Sequence, residues 1–75
     1  FNSAVTIQYL TALGGLTRLS IIDPSGRNVE TLFEGSPFPG SYKRTWVART
    51  YPSGIYFAVL EVNSTLITRK LVLMR

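Results

Sequence analysis

Seventy-five residues make one small domain, and 45% hydrophobic against 16% charged residues excludes a disordered chain. The absence of cysteine and histidine removes disulfide staples, the strongest zinc ligands, the usual nucleophile and the usual general base together. A net charge of +4 would suit an acidic partner, but the eight basic residues form no run longer than a pair, so charge alone points to no nucleic-acid footprint.

Gly and Pro punctuate the chain at short intervals, and the segments between them are rich in β-branched and aromatic residues. Six strands are predicted, which makes the fold class all-β, with an antiparallel β-sandwich or a barrel the expected outcome of short strands at this spacing. The first, Val5 to Leu10, alternates Val5, Ile7 and Tyr9 with Thr6 and Gln8, so one face is expected to be buried. Gly14-Gly15 then breaks the chain before the second, Leu16 to Ile22, where Leu19 and Ile21 are expected inside, with Arg18 and Ser20 wet. The third runs from Val29 to Phe33. Val29 and Leu32 fall on opposite faces of a regular strand, so a bulge is needed if both are to reach the core. In the fourth, Ser41 to Val47, Tyr42, Arg44 and Trp46 share a face, and Arg44 is expected either to snorkel past the aromatics or to stack on one. The fifth, Ile55 to Val62, holds the longest apolar run, Ile55 to Leu60, far too short to span a bilayer. An Asn63-Ser64 turn leads into the sixth, Thr65 to Met74. The start at Phe1 rather than Met is expected of a piece excised from a larger protein.

Two Pro-Ser-Gly steps stand out, one after Asp23 and one after Tyr51. Asp23, Pro24 and Gly26 are the residues a type I turn prefers at its first, second and fourth positions, and the Asp23 carboxylate can accept from the backbone two residues on. Pro52 and Gly54 repeat the placement. A phosphate-binding loop needs a helix behind its glycines, whereas both steps lead into β-type sequence, so they are read as structural turns. The four carboxylates, Asp23, Glu30, Glu34 and Glu61, are scattered and match no calcium loop; no catalytic residue, metal or cofactor is expected. Tyr42 and Trp46, flanked by Lys43 and Arg44, are candidate ligand-facing aromatics of the kind that stack on bases or sugars, weighed against their use as core. The Asn63-Ser64-Thr65 triplet fits a glycosylation acceptor and equally a turn.

Taken in order, Phe1-Asn2, Val5-Thr6-Ile7-Gln8-Tyr9, Leu19-Ser20-Ile21-Ile22-Asp23, Gly26-Arg27, Val29, Thr31-Leu32, Gly35, Gly40-Ser41-Tyr42, Trp46, Pro52-Ser53-Gly54-Ile55-Tyr56-Phe57, Leu60 and Arg69-Lys70-Leu71-Val72-Leu73 form an ordered set. The set resembles the type A C-terminal sorting domain of the type IX secretion system, and it is similar to the immunoglobulin-like domain of flagellar hook-capping proteins. The resemblance implies that residues 1–75 form one immunoglobulin-like sandwich of six to seven strands. It implies no enzyme but a secretion signal, read by the outer-membrane machinery and its sortase, that carries a parent cargo domain from the periplasm to the cell surface or beyond. No nucleic acid and no membrane span are implied. By position, the signal elements are Gly26 and Arg27, then Gly54, Ile55 and Tyr56, then Arg69, Lys70, Leu71, Val72, Leu73, Met74 and Arg75. Two positions depart from the family pattern: Trp46-Val47-Ala48 stands where Trp-Asp-Gly is usual, and Arg44 stands where an apolar residue is common. A structural or accessory sandwich beside a secreted enzyme, touching carbohydrate through Tyr42, Trp46 or Tyr56, is the alternative.

Overall fold

The computed structural model describes residues 1–11 and 15–74, which place every predicted strand, while Gly14 and Arg75 lie outside the described residues. The strands are β1 (Ala4–Thr11), β2 (Thr17–Ile22), β3 (Asn28–Gly35), β4 (Gly40–Val47), β5 (Gly54–Val62) and β6 (Thr65–Leu73). They form two antiparallel sheets, one of β1 and β4 and one ordered β3-β2-β5-β6. The layers face each other as a β-sandwich. The inner face of the larger sheet brings Leu19 and Ile21 of β2 opposite Leu60 and Ala58 of β5, and Tyr56 opposite Leu71 of β6. The smaller sheet contributes Val5 beside Trp46, Ile7 beside Arg44 and Tyr9 beside Tyr42.

Each sequence irregularity has a local cause. Across β2, the partners step from Phe33 to Thr31 and from Glu30 to Asn28, leaving out Leu32 and Val29. Those two residues are the ones whose spacing breaks alternation. The two bulges turn both side chains onto the core, where each packs half-buried. The Asp23 turn forms as expected: the Gly26 N–H donates to the Asp23 carbonyl at 2.9 Å, and the Ser25 N–H donates to the Asp23 carboxylate at 3.0 Å. The second Pro-Ser-Gly step works differently. The Tyr51 N–H bonds back to the Ala48 carbonyl, and the Tyr56 hydroxyl donates to the Pro52 carbonyl at 2.7 Å. A buried tyrosine at the start of a strand, tied to backbone a few residues upstream, is the tyrosine corner of Greek-key sandwiches. At the far end, Asn63 and Ser64 both take positive φ, 48° and 73°, the geometry of a two-residue hairpin turn. Gly15, at φ 145°, lies against the Asn63 side chain, where a Cβ would come within 2.5 Å of its amide atoms.

Two expectations about faces are corrected. Ser20 is buried rather than wet, because β3 and β5 flank β2 and place Thr31 and Val59 on either side of it. Arg44 stacks neither on Tyr42 nor on Trp46 but on Phe33 of β3, its guanidinium carbon 4.9 Å from the ring centroid. That contact closes the β3–β4 seam between the sheets with a cation over an aromatic face.

Candidate functional site

The two Pro-Ser-Gly steps, far apart in sequence, come to the same end of the sandwich. Together they line a cleft of about 520 Å³ with Asp23, Pro24 and Arg27 on one wall and Tyr51, Pro52 and Tyr56 on the other. The wall from the first step is rigid. Asp23 Oδ1 accepts from the Ser25 hydroxyl at 2.6 Å and from the Ser25 and Arg27 N–H groups at 3.0 Å, while Oδ2 takes the Arg27 Nε–H at 3.3 Å. The Ser25 hydroxyl foremost, with the Arg27 bonds behind it, holds the Asp23 carboxyl below the ordinary carboxylate range. A carboxylate so engaged is a poor base and a good brace. It fixes the root of Arg27, whose side chain remains 81% exposed.

The opposite wall rests on an aromatic cluster. Trp46 sits under it, with ring centroids 5.1 Å from Tyr56, 5.6 Å from Tyr51 and 5.7 Å from Phe1. The Tyr51 hydroxyl donates to Glu30 at 3.3 Å. Burial first, and the Glu30 charge second, push the Tyr51 hydroxyl upward, so it stays a protonated donor. Glu30 stands in no sequence motif, and neither the Tyr51-Pro52-Ser53-Gly54 step nor the Phe1-Asn2 start announces a ring packed on Trp46; these roles come from β3 and Phe1 meeting the β4–β5 loop.

The sequence-predicted signal residues fall into two groups. Gly54, Ile55 and Tyr56 lie opposite Leu73, Val72 and Leu71 in the β5–β6 ladder, and Arg27 faces the same end. Gly26, at φ 90°, forms the turn beside Arg27. The chain start joins them: the Phe1 ammonium donates to the Val72 carbonyl at 3.0 Å, and the Met74 N–H donates to the Phe1 carbonyl at 2.8 Å. Arg69 and Lys70 stand apart, farther along β6 and opposite Ala58 and Phe57.

The ligand-facing aromatics are corrected. Trp46 is 0% exposed and presents no ring face to a base or sugar. Tyr42 belongs to the other half of the molecule, stacked on Tyr9 with its hydroxyl bonded to the Phe38 carbonyl. Both serve packing, because a core this thin draws in its largest rings. Among the described residues no group of three or more acidic side chains could hold a metal, and no helix is long and apolar enough to cross a membrane. The cleft offers one braced cation, a rim of tyrosine and proline, and backbone edges: groups suited to recognition. No family model, no curated protein and no solved structure matches this chain.

Proposed function

We propose that the chain is a sorting module of the type IX secretion system: a non-catalytic, immunoglobulin-like address that directs an attached cargo across the bacterial outer membrane. Its partners are then the outer-membrane machinery and a sortase that links the cargo to the cell surface. The observation that carries the reading is convergence. Arg27, Gly54 and Ile55 are separated along the sequence, yet line one cleft at one end of the sandwich, while Leu71 to Leu73 pair with Gly54 to Tyr56 in the β5–β6 ladder and Tyr56 and Leu73 are buried beneath it. A recognition patch of this kind is what a translocation receptor can read, through a cation it can pair with and strand ends it can extend.

The test is transport. Residues 1–75 fused behind a periplasmic reporter, in a bacterium that has the system, are expected to bring the reporter to the surface or medium. Replacing Arg27 with glutamate is expected to reduce that yield with the domain still folded. A reporter that stays in the periplasm with the intact module sinks the reading. It would leave the accessory sandwich, and then in a structural role, because Trp46 and Tyr56 are both buried and offer no platform for carbohydrate.

A further inference from the structure

The outer face of the larger sheet is apolar where the outer face of the smaller one is polar. On the smaller sheet the outward side chains bond to each other, Thr6 to Thr45 at 3.0 Å and Gln8 to Ser41 at 3.2 Å. On the larger sheet the cross-strand register sets Ile22 beside Phe57 and Ile55 beside Val72 on the outward side, with Val59 next along β5 and Leu66 near the start of β6. Neither core cluster includes any of these six, and Ile55, Leu66 and Val72 are exposed. The apolar run Ile55 to Leu60 has its meaning here. A run without polar alternation belongs to a strand covered on both faces, and the sandwich covers β5 on one.

Shape and charge select the cover. A hollow of about 380 Å³ is lined by Ser20, the small residue of this face, together with Ile22, Val59 and Leu66, and Phe57 stands beside it as a knob. Lys70, opposite Phe57 on β6, is in no ion pair among the described residues, while Glu61, toward the other end, holds Arg18 through Oε1. A twofold axis lying across the strands, between Val59 and Phe57, lays the β5 of a second copy over this one in reverse. Phe57 of each copy then falls on Val59 beside the Ser20 hollow of the other, Leu66 falls on Val72, and Lys70 comes beside Glu61. A twofold along the strands would set Leu66 against Arg18 or Glu34 instead. From strand spacing and rise the face measures about 20 by 25 Å, so a pair buries on the order of 1,000 Å², the lower bound of a specific interface.

We propose that this face is the contact of a homodimer, two chains back to back across their larger sheets, with Phe57 as the anchor and Lys70 with Glu61 as the paired charges. Apolar area supplies the association, and the charges fix the relative direction of the strands. The inference is independent of the secretion reading.

The test is sedimentation velocity on the full chain at rising concentration, read together with amide NMR shifts. A monomer–dimer equilibrium is expected, with concentration-dependent shifts at Phe57, Val59 and Lys70 and none at Thr6 and Thr45 of the smaller sheet. Phe57→Lys is expected to raise the dimer dissociation constant about tenfold or more, with Trp46 fluorescence reporting a folded chain. Lys70→Glu and Glu61→Lys are each expected to weaken the dimer and the two together to restore it, which a loss of folding could not do. A chain that stays monomeric up to millimolar concentration overturns the proposal, as does a dimer that Phe57→Lys leaves intact or whose shifts fall on the smaller sheet. Failure of the double charge exchange to restore association overturns it too.

Discussion

Leu73 and Ile67 lie on the same face of the same strand, yet the first is 1% exposed and the second 47%. Around Leu73 the sandwich is closed: Ile21, Trp46, Ala48, Tyr56 and Ala58 are buried with it, and Phe1 ties the chain start across the seam. Around Ile67 the core is Tyr9, Leu19 and Leu60, and the β1–β6 seam is open. The two inward arginines tell the same story. Arg44 is laid over Phe33 and seals its seam, while among the described residues Arg69 has neither a ring under it nor an ion-paired carboxylate, and its guanidinium bonds to the neighbouring Thr68 carbonyl. A side chain's value to the fold is thus set by what the opposite sheet places over it, and strand position alone does not decide it.

The largest break in this contrast is expected from Trp46→Ala. Emptying the site of a fully buried ring costs about 3–5 kcal/mol, a large share of what a small domain has, so the cooperative thermal transition followed by circular dichroism should disappear or fall far. Next comes the paired comparison that gives the contrast its sharpest form. Leu73→Ala is expected to cost about 2–5 kcal/mol and Ile67→Ala under about 1 kcal/mol in urea titrations, since only the first leaves a closed cavity. Equal losses would mean that the open seam is not open in solution. Tyr56→Phe keeps the ring and removes the bond to the Pro52 carbonyl, for an expected loss of about 1 kcal/mol by the same measurement.

The smallest effect is expected from Asp23→Asn, and it carries a pH signature. The folded carboxyl is held below its ordinary value, so its contribution is fully present above about pH 4 and fades as pH falls through the lowered folded value. Urea midpoints of the two proteins should therefore differ at neutral pH and converge in acid. A gap that persists in acid would show that the turn owes its stability to something other than the ionised carboxylate.

Much of the fold is legible in the residues. Gly and Pro mark the strand ends, alternation gives the inward sets of β1, β4 and β5, and the three-residue spacing of Val29 and Leu32 announces the bulges in β3. What alternation cannot express is cover. It assigns Ile67 and Leu73 to one face with equal force, because period 2 reports direction and not the presence of an opposing strand. It makes Ser20 wet, because it ignores neighbours within the sheet. The candidate site is legible only in pieces: each Pro-Ser-Gly step reads as a turn, and their meeting around Arg27, Tyr51 and Tyr56 is a product of topology.

The Asn63-Ser64 turn also has a kinetic consequence. A two-residue connection lets β5 and β6 zip within about 1–10 μs, whereas the link from Phe1 to Val72 must close across 71 positions of chain and so belongs to the slow steps of assembly. Pulsed hydrogen exchange during refolding should protect amides beside the turn before it protects Met74. A refolding chain therefore passes through an interval in which β6 is paired to β5 while Val72 and Met74 still lack their bonds to Phe1, and a strand able to pair with those backbone groups has its widest opportunity then.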